Sequence, residues 1–473
     1  MSKRIVGIDL AITSSHRAAV YDSESMAFVG KSLSFSRSYE AFMLLLHKAT
    51  HRFSGEVFFV MEPTSGVWKP LSAFLMAKGY TVYLVKPQKV YDLRKFLRKH
   101  TKSDRIDAQT LAKLPVVDPE GIYPLLLAKT ESEALNRYCR QRERIMRSIS
   151  ARKVRIQAFF TAVNPLLMDC FGAHKYSQCC RAFLRQYADP FKVLRLGVKR
   201  LSRFLTRHAW GTPEVSLAVR IYQASQSAVN IYREAKEADS LPFSSEQFQD
   251  EINIELDLME FEEQKIKYLD EKIEVLHHKL DPGKVLRSIP GVGPVIAPSI
   301  LAVTGNPERF SNIRAYKSFC GLIPRKKQSA TSDRKGLRIT KASQRILKKG
   351  YCLAAETARR YDPEAACLYH RLKAKGRHHN QAICAVASNL AGRTYSVMRR
   401  TGLGTDKLLH NTTHLRYVIR DFDGRDVDLK QGRALVVERF LIKETGRAPN
   451  FYSRQSLPTS RDNSSYDKRP LSP

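Results

Sequence analysis

The sequence lacks the marks of a zinc ribbon and of a membrane protein. Its eight cysteines include no C-x-x-C pair, the spacing on which zinc ribbons depend. No apolar run approaches the roughly 18 residues of a membrane span. The charged Asp9 interrupts the first apolar stretch, so no secretory leader is expected. We therefore expect free, mostly buried thiols in a reducing cytosol.

Acidic residues are scarce relative to basic ones. The 473 residues carry 80 Lys plus Arg against 46 Asp plus Glu, a formal net charge of +34. The 43% hydrophobic content is close to that of globular proteins and excludes a disordered basic tail. The charge predicts a polyanionic partner, most often DNA or RNA. A basic surface tuned for solubility or for an anionic membrane is the alternative.

The N-terminal part alternates strand and helix patterns. Apolar runs predict strands at 4–10, 17–22, 27–33, 57–61 and 80–85, with helical patterns at 38–50 and 68–78. Such alternation predicts a mixed α/β domain whose sheet is at least partly parallel.

Four carboxylates occupy informative places in this part. Asp9 ends the first apolar strand and Glu62 follows a later one, where α/β sheets bind ligands. Asp104 and Asp107 are three residues apart in a helix predicted at 101–112, so they share one face. Four carboxylates brought together would repel one another unless a cation neutralised them. Oxygen ligands select Mg²⁺ or Mn²⁺. Two such ions can hold the attacking and leaving oxygens of a phosphodiester. Alternatively, Asp104 caps the helix and Asp107 is solvated.

Basic residues crowd these acids. Eight lie between Lys86 and Asp107, accompanied by three acids. A phosphate backbone beside the metals would contact such cations, and otherwise they form a solvated face. The candidate phosphate contacts are Arg94, Lys95, Arg98, Lys99, Lys102 and Arg105. Tyr91 and Phe96 could stack on bases, although core packing suits Phe96 better.

In the middle of the chain the sequence predicts two long helices. The secondary structure of the segment between them is hard to predict. The strongly basic stretch 130–163 predicts a helix that contacts nucleic acid or pairs with another helix, and both remain open. From Ile252 to Leu280, apolar residues spaced by three and four predict a coiled-coil-like helix that pairs with protein and helps set an oligomer. Between them, 164–213 contains the basic stretch KVLRLGVKRLSRFLTRHAW.

The segment I-P-G-V-G-P at 289–294 resembles a helix-hairpin-helix turn. Gly291 and Gly293 permit a tight turn whose backbone N–H groups, with a helix N-terminus, can hold a phosphate. A helical corner that needs glycine for packing is the alternative, and we favour the phosphate contact.

A basic C-terminal stretch follows at 314–349, with twelve Lys or Arg and one acid. Polar residues at 328–333 predict an exposed loop within it. Helices are predicted over 345–400, where Asn380, Arg393 and Tyr395 are either structural or phosphate-facing. We expect a small packed element at 401–450 and disorder from about 451.

Four motifs in order resemble one family. They are G-I-D (7–9), M-E-P-T-S-G (61–66), V-K-P-Q-K-V (85–90) and T-K-S-D-R-I-D-A (101–108). Together they resemble the DEDD-type insertion-sequence transposases, which include the pilin-gene invertase and the bridge-RNA-guided recombinases. The resemblance implies a RuvC-like, RNase H fold. It also implies that Asp9, Glu62, Asp104 and Asp107 are the catalytic metal ligands.

A further match concerns a candidate nucleophile. G-L-I-P at 321–324 resembles a family stretch that precedes a serine, and this places Ser329 in the nucleophile position. Ala330 stands where the family has glycine, and Ala342-Ser343 where it has G-N, so Ser332 and Thr331 stay open as alternatives. The cations expected to contact nucleic acid around this serine are Arg325, Lys326, Lys327 and Lys341.

The residue patterns and the resemblance together predict an α/β-plus-α architecture in four parts. These are a RuvC-like domain at 1–125, a basic helical and coiled-coil linker with a family-atypical insertion at 126–280, a helix-hairpin-helix-like C-terminal domain with the serine loop at 281–400, and an extension at 401–473. The implied function is that of a DNA transposase or site-specific recombinase in the prokaryotic cytoplasm, associated with the nucleoid. The implied partners are element and target DNA, a structured noncoding guide RNA, and further copies of the chain in a tetramer or dimer of dimers. A metal-dependent junction endonuclease and a catalytically dead RNA-binding relative are the alternatives.

Overall fold

The structure is a computed structural model with two compact units, Met1–Ala128 (unit 1) and Lys129–Pro473 (unit 2). It describes residues 2–97, 103–119, 122, 124–126, 130–209, 215–238, 240–324, 328–329, 332–333, 339, 343–405, 407–409 and 412–441. No helix among these residues is long and apolar enough to span a bilayer. The segment predicted to be disordered from about 451 lies outside them.

Unit 1 is a mixed α/β structure, as the sequence predicts. Its elements are β1 (Lys3–Asp9), β2 (His16–Asp22), β3 (Ala27–Phe28), β4 (Leu33–Phe35), α1 (Tyr39–Thr50), β5 (Glu56–Met61), α2 (Trp68–Ala77), β6 (Thr81–Leu84), α3 (Pro87–Phe96) and α4 (Asp104–Val117). The single strand expected at 27–33 is instead split into β3 and β4. Gly30 causes this split because its φ of +66° turns the chain between them.

The sheet has the order β3-β2-β1-β5-β6, with β4 also paired to β2. The central strand β1 is antiparallel to β2 and parallel to β5, and β5 is parallel to β6. The expectation of a partly parallel sheet is therefore confirmed.

Alternating side chains divide the core of unit 1 between the two faces of the sheet. Val6, Ile8 and Met61 pack with α1 and α2 on one face. Ile5 and Val60 pack with α3 and α4 on the other. Because side chains alternate along a strand, odd positions of β1 and even positions of β5 face α4.

Unit 2 is mostly helical. Its elements are α5 (Thr130–Val163), α6 (Leu167–Cys170), α7 (Gln178–Gln186), α8 (Pro190–His208), α9 (Val215–Glu237), α10 (Ser245–Leu280), α11 (Ile296–Thr304), α12 (Ile313–Cys320), β7 (Gln328–Ser329), β8 (Ser332–Asp333), α13 (Arg345–Tyr361), α14 (Pro363–Ala374), α15 (His379–Thr401), β9 (Ile419–Arg420), β10 (Asp426–Val427) and α16 (Leu429–Val436). The segment that the sequence left open, 164–213, contributes α6, α7 and α8.

Two apolar cores lie along the packed helices α5 and α10. One core joins the first half of α5 and the end of α10 to α11–α15. The other joins the second half of α5 and the first half of α10 to α6–α9. The helices α6–α9 with their connections, residues 164–244, are called the inserted lobe below.

The open question about α5 has a partial answer. Arg142 pairs with Asp270 of α10, and Arg152 pairs with both Glu255 and Glu262 at 2.9 and 3.0 Å. These arginines are neutralised within the protein. The arginines exposed on α5 are Arg137, Arg140, Arg144, Arg147 and Arg155.

The cysteines are free, as expected, but they are not mostly buried. Cys139, Cys180 and Cys320 are buried, whereas the other five are half-buried. Burial raises the pKa of Cys139 to about 11. Cys139 therefore stays a thiol at neutral pH.

Candidate active site

Asp9 and Glu62 follow the paired ends of two parallel strands. The register aligns Ile8 of β1 with Met61 of β5, so the two acids are the next residues along each strand. By the alternation of side chains, Asp9 continues the face of Ile5 and Gly7, and Glu62 continues the face of Val60. The sheet thus brings both carboxylates to one edge on the side that α4 covers, and each is half-buried.

Gly7 lets α4 lie directly on β1. A Cβ atom at Gly7 would stand 2.1 Å from the carbonyl oxygen of Ala108 and 2.3 Å from the backbone nitrogen of Ala112. No side chain fits there, so backbone meets backbone at this crossing. Two small residues one helical turn apart, Ala108 and Ala112, form the matching surface of α4.

The direction of α4 places its first turn near the two strand acids. Downstream of the crossing, Lys113 lies over the ring of Tyr21, with its Nζ 5.7 Å from the centroid, and Tyr21 pairs with Ile5 at the start of β1. The helix therefore runs opposite to β1. Its first residues, including Asp104 and Asp107, lie toward the end of β1 that carries Asp9.

Ser103 caps α4, which removes the capping role considered for Asp104. The Ser103 side chain accepts a hydrogen bond from the backbone N–H of Ile106 at 3.3 Å. Asp104 is exposed.

Asp107 has a defined ionic partner. A guanidinium nitrogen of Arg94 in α3 lies 2.8 Å from its Oδ1, and both side chains are largely buried, at 16% and 13% exposed. Asp107 is therefore not a solvated carboxylate. Arg94 and Asp107 fix α3 against the beginning of α4.

The other predicted contacts around these acids have mixed outcomes. Lys95 is exposed and stands 4.7 Å from the ring centroid of Tyr91, and Arg105 is exposed on the first turn of α4. Phe96 is 75% exposed, so the expectation that it packs in the core is wrong. Arg98, Lys99 and Lys102 lie outside the described residues.

The chemistry of the donor set fits Mg²⁺ or Mn²⁺. All four acids supply carboxylate oxygen, the ligand that these hard cations prefer. Within the described residues, no three His, Cys, Asp or Glu side chains are grouped closely enough to hold a metal ion.

The candidate serine lies on a hairpin rather than in a loop. Strands β7 and β8 are antiparallel, and Ser329 pairs with Ser332 in the register. Pro324 and Ile339 form a further antiparallel bridge, so we call 324–339 the serine arm. The predicted exposed loop at 328–333 is wrong in this respect, because four of its residues pair as strands. Ala330, Thr331, Arg325, Lys326, Lys327 and Lys341 lie outside the described residues.

Gly321 closes the base of the serine arm. It ends α12 with a φ of +73°, and a Cβ there would stand 2.3 Å from the Cβ of Ser343. The backbone N–H of Gln344 donates to the carbonyl of Phe319 at 3.1 Å, which holds the two ends of this segment together.

Packing accounts for Gly291. Its φ is +82°, and a Cβ would stand 2.1 Å from the carbonyl oxygen of Ala354 in α13. By contrast, a Cβ at Gly293 would meet nothing within 4 Å. Gly293 lines a cavity of about 660 Å³ between this turn and residues 417–429. The phosphate contact of both glycines stays a prediction.

Two of the three ambiguous residues of the C-terminal helices are structural. Arg393 pairs with Asp362, which is fully buried, and with Glu364. The hydroxyl of Tyr395 donates to the carbonyl of Phe310 at 3.2 Å in the core. Asn380 is exposed.

The sequence interpretation missed Gly7 and the pairing of Arg94 with Asp107. A glycine inside an apolar strand and two alanines spaced by four in a following helix were the available signal for the first. Nothing in the local sequence distinguishes Arg94 from the other cations around it.

Comparison with known proteins now adds to this geometry. Residues 6–165 match a DEDD IS110 family model described as "Transposase". Residues 283–370 match a second model, described as "Transposase IS116/IS110/IS902 family". The two matches are separated by residues 166–282, which include helices α6–α9 of the inserted lobe.

Several individual proteins are similar to the chain. The "Pilin gene-inverting protein" of Moraxella lacunata is 22% identical over 415 residues, which cover 87% of this chain and 100% of that protein. An IS116 protein of Streptomyces clavuligerus is 23% identical over 71% of this chain and 80% of its own length. An IS110 protein of Streptomyces coelicolor is 25% identical over 52% of this chain, and the match spans 58% of its length.

Proposed function

Since the chain belongs to the DEDD-type insertion-sequence transposase family, we propose that it recombines DNA by cutting and rejoining strands at the ends of a mobile element. The feature that supports the proposal is the register of β1 and β5, which brings Asp9 and Glu62 to one edge of the sheet, while α4 crosses β1 so that its first turn lies toward that edge. The mixed sheet around β1 is consistent with a RuvC-like, RNase H fold.

In this proposal the four carboxylates hold Mg²⁺ or Mn²⁺. When bound, the ions would neutralise charge on the scissile phosphate and orient it for displacement. The chain's own contribution is to fix the acids on two strands and one helix. Arg94 holds Asp107 in place through its hydrogen bond, and the exposed cations Lys95 and Arg105 attract the phosphate backbone.

Ser329 is the proposed nucleophile, with Ser332 and Thr331 as alternatives. Its oxygen would form a bond to phosphorus and lose its proton, while the bond from phosphorus to one strand's oxygen breaks and that oxygen takes up a proton. Attack by a strand hydroxyl on the serine phosphodiester would then join the strands and release the serine. Each step replaces one phosphate ester by another without a change of oxidation state. No oxidant or reductant is therefore needed.

The finer partners are predictions as well. We expect a structured guide RNA and a tetramer or dimer of dimers, in a prokaryotic cytoplasm and near the nucleoid. Copurification of a discrete RNA and the sedimentation mass of the assembled protein would test these two expectations separately.

The decisive experiment compares three variants of the full chain on DNA that carries the element ends. Asp9→Ala and Ser329→Ala should each abolish cleavage and joining, whereas Ser332→Ala should retain them. Trapping with denaturant should recover DNA covalently attached to the protein with Asp9 and Ser329 intact, and none with Ser329→Ala.

Two other outcomes would contradict the serine step. Full cleavage by Ser329→Ala with none by Asp9→Ala, and no DNA covalently attached to either the variant or the unaltered chain, would identify a metal-dependent junction endonuclease. Absence of Mg²⁺-dependent cleavage or joining by the unaltered chain with any element RNA would favour an RNA-binding relative that lacks activity.

A further inference from the structure

Helix α8 in the inserted lobe presents a dense group of cations. Its exposed basic side chains are Lys192, Arg195, Lys199, Arg200, Arg203 and Arg207. The helix itself contains no acid. Across the described part of the chain, no acidic side chain forms an ion pair with any of the six.

On neighbouring helices of unit 2, by contrast, arginines form ion pairs with acids of α10. Arg181 of α7 pairs with Glu263 of α10 at 2.7 Å, and Arg185 pairs with both Asp257 and Glu260. Arg152 of α5 is paired with α10 in the same way. The acids of α10 thus pair with Arg152 of α5 and with Arg181 and Arg185 of α7, whereas the six cations of α8 face solvent.

Three of these cations follow one side of the helix after the break at Gly197, where φ is +74°. Lys199, Arg203 and Arg207 recur every four residues, and Leu201 and Leu205 are buried on the opposite side. Eight residues of helix span about 12 Å. A rigid row of three cations at this spacing suits successive phosphates along a nucleic-acid backbone.

The aromatic residues of α8 are already engaged. Phe204 packs between the rings of Tyr187 and His208, at 5.0 and 4.6 Å between centroids. The Nζ of Lys236 lies 3.7 Å from the ring centroid of Phe191. Single-stranded nucleic acid is bound largely by stacking bases on free aromatic rings, and α8 offers none, so its chemistry suits the backbone of a duplex.

We propose that α8 is a binding surface for the phosphate backbone of double-stranded DNA, separate from the carboxylate site of unit 1. The choice of DNA over duplex RNA rests on the proposed function. The surface lies between residues 165 and 283, where neither family model matches. It would therefore add sequence-independent affinity for DNA to the contacts proposed for Lys95 and Arg105 in the matched region.

The test measures binding by the full chain, with EDTA present so that no cleavage intervenes. The variant is Lys199→Gln/Arg203→Gln/Arg207→Gln, and the control is Lys267→Gln/Lys272→Gln/Lys279→Gln, which removes three exposed cations from α10. The probes are a 40-base-pair DNA of unrelated sequence, the same sequence as duplex RNA, and one strand alone.

For the α8 variant, the slope of log K against log salt on duplex DNA should become shallower by about 2.7, and affinity at about 0.1 M salt should fall at least about 10-fold. The α10 control should leave both unchanged. Arg203→Lys, which keeps the charge, should retain the slope. Both triple variants should melt at the temperature of the unaltered chain, because the replaced side chains are exposed.

Equal slopes for the α8 variant and the unaltered chain would overturn the proposal. A greater loss on duplex RNA than on duplex DNA would overturn the assignment to DNA and identify an RNA surface instead. Because binding is measured without cleavage, either result leaves the roles of Asp9 and Ser329 to be judged on their own assay.

Discussion

Replacing Gly7 by alanine should move Asp104 and Asp107 away from Asp9 and Glu62, the other two proposed metal ligands, without altering any of the four side chains. The added Cβ would stand 2.1 and 2.3 Å from backbone atoms of α4, where ordinary contact needs 3.4 Å or more. Backbone atoms cannot rotate away as a side chain can. Helix α4 must therefore move off β1 by about 1 Å, and it carries Asp104 and Asp107 with it.

Two effects of known size should follow. Overpacking of this kind destabilises a protein by about 1–3 kcal/mol, which lowers the unfolding midpoint of unit 1 by roughly 3 °C or more. A displacement of about 1 Å at a catalytic group can lower the reaction rate about 100-fold. DNA cleavage by Gly7→Ala should therefore fall far more than the fraction of folded protein does.

The assay pairs thermal unfolding, followed by circular dichroism, with a cleavage time course at a temperature where the variant is folded. Gly66→Ala is the matched control, because a Cβ at Gly66 meets nothing within 4 Å and should leave the midpoint unchanged. Cleavage and stability of Gly7→Ala equal to those of the unaltered chain would refute the tight crossing of α4 on β1.

Three further changes test the packing of unit 2. Tyr351→Phe removes a buried hydroxyl that bonds to two others, and it should cost about 1–3 kcal/mol in denaturant unfolding. Arg152→Gln should lower the free energy of unfolding by about 2 kcal/mol, whereas Arg144→Gln, at an exposed position, should change it by less than about 0.5 kcal/mol. Equal changes for the two variants would contradict the pairing of Arg152 with α10. The hydrogen bond from Arg287 lowers the pKa of Glu274 below its ordinary value of 4.5. Its stabilisation is therefore present above pH 4.5 and is lost as the pH falls through the lowered pKa, and Arg287→Gln should flatten that part of the acid unfolding curve.

The sequence predicted the places of Asp9 and Glu62 because apolar runs mark the strands that end at them. Hydrophobic pattern and strand end are local properties. The contact of Gly7 with Ala108 joins residues about 100 positions apart, and nothing near either residue indicates the other. The same limit applied to α5, whose arginines find their acids on α10 only in the folded chain.

Gly291 and Phe96 were ambiguous for a different reason, because each residue type suits more than one structural environment. Gly291 suits both a phosphate turn and a close contact, and the carbonyl of Ala354 supplies the second. Phe96 fits a core by composition, yet it lies exposed at the end of α3. The family resemblance was confirmed by the comparisons, whereas the role of Ser329 stays a prediction.

The inserted lobe leaves and rejoins the long helices at nearly one point. Helix α5 ends at Val163 and α10 begins at Ser245, and the rings of Phe160 and Phe248 are in contact, with centroids 5.3 Å apart. A segment whose two ends meet can be lengthened, shortened or exchanged without changing the distance between the residues on either side of it. The length or sequence of the lobe could therefore change while α5 and α10 stay packed against each other, and the DNA surface proposed on α8 would change with it.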